Sequence, residues 1–411
     1  LPAFPYLVGH NMIAPGVKFS TLRLIIQTAA VLAQIYLFLR LRQAVRGWRR
    51  SEPWKSLVIG AAGAAIVFFF VINGYILSRP IPWVDPPAAI EVSLFYPAAV
   101  WGLGSILSAL LLVLVQLLVG LGRVAVRFAR GPVTRGSAIA GNPDRRRFLQ
   151  AGVAGLFAGP LVLSGYGAAY AAKAYEVCEL SLPFGRSLRV VQLSDIHAGI
   201  YMTRGEMRRA VDLAAALRPD LLVLTGDYIS NSMKFLPGCV EEMARVEARY
   251  GTFAVMGNHE HWYGELSEIL ALFRQHRITF LLNAHQVIQG DQGFFAVAGI
   301  DDLFSGHPSL SAALHGLDGA LPTILLSHHP EIFPQAAGQG IPLTLAGHYH
   351  GGQIKLSLPG VDLSLAHLMT PYPEGLYRLK GCHLYVNRGI GTTFTPVRLN
   401  ARPEVTVFHL T

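Results

Sequence analysis

LTLAGHYHGG, residues 343–352, runs from a short apolar stretch into two histidines set one residue apart between glycines. Leu343, Leu345 and Ala346 suit a short buried strand, and Gly347 marks where it stops. His348 and His350 then follow the strand's carboxyl end. On an extended segment, residues two apart point to the same side, so both imidazoles can converge.

Four more strand-like runs of the second half end in the same way. VVQLS (190–194) meets Asp195, Ile196 and His197, and LLVLT (221–225) meets Gly226 and Asp227. TFAVM (252–256) meets Gly257, Asn258, His259 and Glu260, and TILLS (323–327) meets His328, His329 and Pro330. Helix candidates lie between the runs. In GEMRRAVDLAAALRP (205–219), Met207, Ala210, Leu213, Ala214 and Leu217 recur near helical spacing. LSEILALFRQHR (266–277) is another. Buried strands alternating with helices predict an α/β fold, and sites in such folds form beyond the carboxyl ends of strands.

Each motif alone is weak. A lone His328 suits a core histidine, Gly226-Asp227 a turn, and the segment from Gly257 to Glu260 a helix cap. Five in one order, each closing a strand, say more. Their carboxylates, amide oxygen and imidazoles are too many for one tetrahedral zinc. They suit two ions about 3.5–4 Å apart that share a carboxylate and a water. Oxygen and nitrogen donors without thiolate favour manganese, iron or zinc over copper(I) or calcium.

The series D-x-H, G-D, G-N-H-E, H, G-H-x-H resembles the calcineurin-like metallophosphoesterase superfamily over about Tyr175–Thr411. The ending MTPYPEGLYRLKGCHLYVNRGIGTTFTPVRLNARPEVTVFHL (369–410) is similar to the bacterial membrane-anchored or exported branch. The resemblance implies a four-layer sandwich, with two mixed sheets flanked by helices. It implies one metal held by Asp195, His197, Asp227 and His350, and another by Asp227, Asn258, His328 and His348. Asp227 would bridge the two. His259 would bind no metal and would sit over the phosphate, with His329 an extra neighbour of His328. The implied activity is hydrolysis of phosphate monoesters or diesters. Two divalent cations would acidify a water and offset charge on the phosphate.

The first half is different in kind. Over all 411 residues, 52% are hydrophobic and 14% charged, and the apolar excess lies in residues 1–172. Four stretches there approach the ~20 residues a membrane helix needs: Thr21–Leu39, Leu57–Leu77, Ala98–Gly122 and Phe148–Ala172. The expectation is a membrane region, 1–172, with about four transmembrane helices, and a phosphoesterase domain, 175–411. Residues 1–174 carry 17 Lys and Arg against 4 Asp and Glu, whereas 175–411 carry 17 against 21. The basic residues cluster in two loops, one holding Arg40, Arg42, Arg46, Arg49, Arg50 and Lys55. The other holds Arg123, Arg127, Arg130, Arg135 and Arg145–Arg147. The intervening loop has Arg79, Asp85 and Glu91. The charge therefore belongs to membrane topology, and no nucleic-acid partner is expected. By the positive-inside rule the Arg-rich loops are cytoplasmic. The catalytic domain is then outside the cytoplasm of a bacterial inner membrane that the chain crosses several times.

DRRRFLQAGVAGLFAG (144–159) resembles a twin-arginine export signal placed inside the chain. AAYAAKAYE (168–176) leaves cleavage and anchoring both open, as Leu1 leaves the natural start open. Cys178, Cys239 and Cys382 show no disulfide framework and read as small buried residues. The expected partners are membrane lipids and a phosphate ester, with lipid-linked and envelope phosphates both within reach. A cytoplasm-facing pyrophosphatase of a UDP-linked lipid A precursor is a rival that needs the inverted topology. A transport or assembly module with a metal-binding accessory domain is another, although few ionisable residues in the spans suggest an ion path. LSLPGVDLSLAHLMTPYP (356–373) is unusually apolar for a loop. The expectation is a packed excursion that covers the sheet, with a lipid-contacting surface as the alternative.

Overall fold

The computed structural model describes residues 12–14, 17–48, 50–78, 88–130 and 143–411. Arg49, Arg79, Asp85 and Arg135 of the charge pattern lie outside the described residues. The chain forms two compact units, one from Arg23–Arg79 with Val92–Tyr166, the other dominated by Gly167–Thr411.

A small antiparallel pair, β1 (Met12–Ala14) and β2 (Val17–Lys18), precedes the helices. These are α1 (Phe19–Arg46), α2 (Glu52–Ser78), the single turn α3 (Ala88–Ile90), α4 (Tyr96–Arg130) and α5 (Pro143–Ala169). Among the described residues, three segments, Glu52–Gly74, Ser93–Val126 and Ala151–Lys173, are long and apolar enough to cross a membrane. The first expected span lies on α1 but is not among them, and Gln27 and Gln34 interrupt its apolar run. Gln34 is buried, donating to Ser105 Oγ at 2.5 Å and accepting from Trp101 Nε1 at 3.2 Å. Asn73 Nδ2 donates to the Ala98 carbonyl at 2.7 Å, and Ser108 Oγ to that of Phe157 at 2.8 Å. Leu114, Leu117 and Phe68 are exposed. Polar groups paired inside and aliphatic groups outside are the arrangement that suits lipid as solvent.

The second unit opens with β3 (Glu176–Leu182), β4 (Leu188–Leu193), α6 (Arg204–Ala216), β5 (Leu221–Leu224) and α7 (Leu236–Met243). Next come β6 (Thr252–Ala254), α8 (Asn258–Tyr263), α9 (Leu266–Gln275) and β7 (Ile278–Phe280). The second half of the unit holds β8 (Ala284–Gly290), β9 (Gly293–Gly299), α10 (Leu310–Ala313), β10 (Thr323–Leu326), α11 (Phe333–Gly338) and β11 (Leu343–Ala346). It closes with β12 (Leu356–Leu358), β13 (Val361–Leu363), α12 (Ala366–Met369), β14 (Gly375–Leu379), β15 (Cys382–Val386) and β16 (Glu404–Leu410).

Two six-stranded mixed sheets result, ordered β3-β16-β4-β5-β6-β7 and β14-β15-β11-β10-β9-β8. In each, four adjacent strands run parallel: β4 to β7 in the first, and β9, β10, β11 and β15 in the second. Parallel strands are covered on both faces, and β5, β10 and β11 are buried throughout. Val190, Val223 and Phe253 of the first sheet share one core cluster with Val297, Ile324 and Leu345 of the second. Ala313, Ile332 and Ala336 pack with Leu325 beside the second sheet, and α6 lies against β16 and α7. The α/β sandwich flanked by helices is the architecture expected.

One expectation fails. The excursion at 356–373 does not cover the sheet: Leu365 is 72% exposed and Leu368 85%. Among the described residues, β12 and β13 pair only with each other, so no neighbouring strand there buries their apolar side chains. Cys239 and Cys382 are buried as expected, whereas Cys178 is half-buried, and all three are free thiols.

Candidate metal centre

The strand ends deliver the site. β4, β5 and β6 are neighbours in one sheet, β10 and β11 in the other, and the loops beyond their carboxyl ends meet. Their backbone is not extended as the sequence suggested. Asp195, His197, Asp227, His348 and His350 all have positive φ, between 49° and 77°. Aspartate and histidine tolerate this left-handed region better than most residues, yet each such position costs on the order of 1–3 kcal/mol. Side chains two apart converge here because the chain coils tightly, not because a strand alternates.

The donor atoms gather in two groups. His197 Nε2 lies 3.0 Å from His350 Nε2, and His350 Nε2 lies 3.4 Å from Asp195 Oδ1. His328 Nε2 lies 3.0 Å from His348 Nδ1 and 3.1 Å from Asn258 Oδ1. Asp227 Oδ2 belongs to both groups, 3.6 Å from His197 Nε2 and 3.3 Å from His328 Nε2. Two ligands about 2.1 Å from a common ion stand about 3.0 Å apart at a right angle and about 3.4 Å apart at the tetrahedral angle. The spacings within each group fall in that range, except that Asp227 Oδ2 stands slightly wider, 3.6 Å from His197 Nε2. These residues are buried, apart from the half-buried His348. His197 Nδ1 and Asn258 Nδ2 are buried without a hydrogen-bond partner. The donor set therefore fits divalent cations bound through oxygen and nitrogen.

Hydrogen bonds behind the site fix which ring nitrogen is offered. His328 Nδ1 contacts the Thr225 carbonyl at 2.8 Å, so it carries the proton and Nε2 faces Asp227. His259 Nδ1 likewise donates to the Ser230 carbonyl at 2.6 Å, and its Nε2 stands 4.0 Å from Asp227 Oδ2. Gln192 Nε2 donates to Thr225 Oγ1, Thr225 Oγ1 to Ser194 Oγ, and Ser194 Oγ to Asp195 Oδ2 at 2.6 Å. The His348 N–H donates to the Asp195 carboxylate at 3.0 Å, which joins the two sheets' loops. A Cβ at Gly257 would collide with Asp227, and one at Gly347 with Ser194 and Asp195.

The field at His328 is negative. Burial opposes charge on His328, but Asp227, Asp195 and Asp302 outweigh it and push the ring up to about 10. Burial likewise opposes ionisation of Asp227, yet His328 and His259 hold it well below the usual carboxylate range. A field that draws a proton onto buried His328 would draw a cation as well.

Three supporting groups escaped the sequence reading. Glu260 is buried and accepts N–H bonds from Asp227, Tyr228, Ile229 and Gly257, at 2.8–3.1 Å. It shapes the loop that carries Asp227. Arg398 is also buried, bonded to the carbonyls of Arg388, Gly389, Gly391 and Ala401, with Nη2 3.2 Å from His350 Nδ1. Asp302 Oδ2 contacts His329 Nδ1 at 2.6 Å, and the His329 ring lies 3.8 Å from that of His348. His329 is thus held beside the site as a packing neighbour. The Glu260 signal was present in the GNHE segment (257–260), whereas no local pattern marks Arg398 or Asp302.

A two-sheet sandwich whose strand ends gather aspartates, histidines and an asparagine around one shared carboxylate defines a class of metal-dependent phosphoester hydrolases. The calcineurin-like phosphoesterase model matches residues 188–366. The uncharacterized metallophosphoesterase YkuE of Bacillus subtilis is 32% identical over 279 residues, covering 65% of this chain and 97% of its own. Phosphodiesterase YaeI of Escherichia coli is 29% identical over 276 residues, 65% of this chain and 99% of that one. A zebrafish (Danio rerio) transmembrane protein with metallophosphoesterase domain is 32% identical over 265 residues, 60% of this chain, and the match spans 59% of that relative's length. The chain belongs to the calcineurin-like metallophosphoesterase family and is a phosphoester hydrolase.

Proposed function

We propose that the chain is a two-metal phosphoesterase, with residues 175–411 as its catalytic domain outside the cytoplasm and residues 1–172 as its membrane region. Asp195, His197, Asp227 and His350 would hold one ion, and Asp227, Asn258, His328 and His348 the other. The position of Asp227 Oδ2 supports this most directly, within 3.6 Å of His197 Nε2 on one side and 3.3 Å of His328 Nε2 on the other. When bound, two divalent cations acidify a water and neutralise charge developing on phosphate oxygens. The donor set suits manganese, iron or zinc.

The chain's own groups do the rest. His259 is no ligand in this reading. With its Nδ1–H committed to Ser230, it would present Nε2 to the leaving oxygen of the ester and carry a proton there. Asp195 is held by Ser194 and by the His348 amide, so its oxygens meet the site in one orientation. Glu260 fixes the backbone at Asp227. The substrates would be monoesters or diesters among envelope or lipid-linked phosphates, the esters that a membrane-held outer site meets. The Arg-rich loops support the outward orientation.

The test is metal analysis of the purified full-length chain, together with a screen of phosphate esters before and after chelation. About two equivalents of metal are expected, with turnover that chelator abolishes and metal restores. One equivalent, or turnover that survives complete chelation, would overturn the two-metal assignment. Reporter fusions at the C-terminus test the orientation, and activity of a cytoplasmic reporter there would reverse it.

A further inference from the structure

We propose that the β12–β13 hairpin and the following turn seat in the face of a lipid bilayer and bring headgroup phosphates to the metal centre. This rests on the phosphoesterase reading above and names its substrate class, a phosphate ester carried on a lipid.

The hairpin has two unlike faces. Leu356 pairs with Leu363, and Leu358 with Val361, while Ser357 pairs with Asp362 between them. Alternation along each strand puts Leu356, Leu358, Val361 and Leu363 on one face and Ser357 with Asp362 on the other. All four apolar residues are exposed, from 49% for Leu363 to 58% for Leu356. In the turn that follows, Leu365 and Leu368 are exposed as well. On the polar face, Asp362 Oδ2 lies 3.3 Å from Lys355 Nζ.

The base of this excursion is fixed, and it is fixed to the site. Lys355, Ala366 and Thr370 are buried. Thr370 Oγ1 donates to Glu331 Oε1 at 2.6 Å, and Tyr349 OH donates to the same oxygen at 2.8 Å. Tyr349 is the residue between the two site histidines. Ser364 packs so closely on Gly352 that no Cβ could stand there. The apolar face therefore belongs to an element built onto the loop of His348 and His350.

The occupant is argued from chain connectivity and chemistry. The third membrane-capable segment, which carries α5, ends at Lys173, and only Ala174 and Tyr175 separate it from β3. A domain joined so closely to such a helix stays beside lipid. Aliphatic groups on one face and polar groups on the other fit the boundary between acyl chains and headgroups.

The experiment uses the full-length chain reconstituted in vesicles of phosphatidylcholine and phosphatidylglycerol. In a Leu358→Trp variant, lipids with a doxyl group near the headgroup end of the acyl chain should quench the added emission by about half. The wild-type chain with its five tryptophans sets the background. No added quenching would overturn the seating, as would a shift in oligomeric state showing that a second copy covers the face. A Leu358→Asn/Leu363→Asn variant should lose about tenfold on a phosphatidyl p-nitrophenol ester in the vesicles. On soluble bis-(p-nitrophenyl) phosphate it should stay within about twofold of wild type. Equal losses on both, or no loss on either, would overturn the delivery role. If the wild type hydrolyses neither ester even with manganese, the phosphoesterase reading fails instead, and the quenching still decides the seating.

Discussion

Residues 347–352 and 356–363 are neighbours in sequence and opposites in physics. The first stretch holds His348 and His350 in left-handed backbone, next to buried carboxylates, with little space for an added atom. The second is a regular hairpin with its apolar face in the open. Strain in the first is tolerated because its neighbours over-determine it: the His348 amide binds Asp195, and Arg398 sits behind His350. Exposure in the second has no compensation among the described residues of its own unit. A site is made by what surrounds it, whereas an open apolar face is made for something else. Substitutions in the two stretches should therefore differ in kind, with large losses of chemistry on one side and small changes in stability on the other.

The largest expected effect is at Asp227. Asp227→Asn keeps the shape and removes the charge shared by both donor groups, so hydrolysis should fall by about 10³-fold or more. The fold should survive, which circular dichroism checks. Undiminished turnover would remove Asp227 from its bridging place, and with it the contrast between the buried loops and the hairpin.

His259→Ala should cost about 10²–10³-fold in rate, within the range for loss of a positioned proton donor, with metal content unchanged. Metal analysis separates the two outcomes. A variant that binds less metal would make His259 a ligand, an option left open by its Nε2 standing 4.0 Å from Asp227 Oδ2.

Glu260→Gln reaches stability rather than chemistry. The amide nitrogen would face backbone N–H groups that now bond to a carboxylate oxygen, and up to two buried donors would go unpaired. The expected loss is about 2–4 kcal/mol, read by thermal unfolding. An unchanged midpoint would show that the loop of Asp227 is held by other means.

Much of this site was legible because strand ends are legible. Apolar runs that stop at glycine and meet Asp, Asn or His locate the loops, and the two-sheet sandwich brings them together. The conformation of those loops was not legible. Nothing local distinguishes a left-handed His350 from an extended one; the difference comes from Asp195, His197 and Arg398 packed around it. Arg398 and Asp302 were invisible for the same reason, since each acts through a partner far away in sequence. The hairpin misled in another way. An apolar run reads as core, and alternation of Leu and Ser reads as a half-buried strand, but neither tells whether protein or lipid takes the apolar side.

The smallest effect should fall on the hairpin. Leu358 is 51% exposed and meets Val361 across the pair. Leu358→Asn removes that cross-strand contact, worth about 0.2–1 kcal/mol, and leaves no cavity because solvent or detergent already reaches the side chain. The detergent-solubilised chain should unfold within about 1 kcal/mol of wild type. A loss of several kcal/mol would mean that Leu358 is covered by protein after all, by a second copy or by part of this chain. The contrast with the buried loops would then be one of degree, and the hairpin would be core rather than a surface kept for lipid.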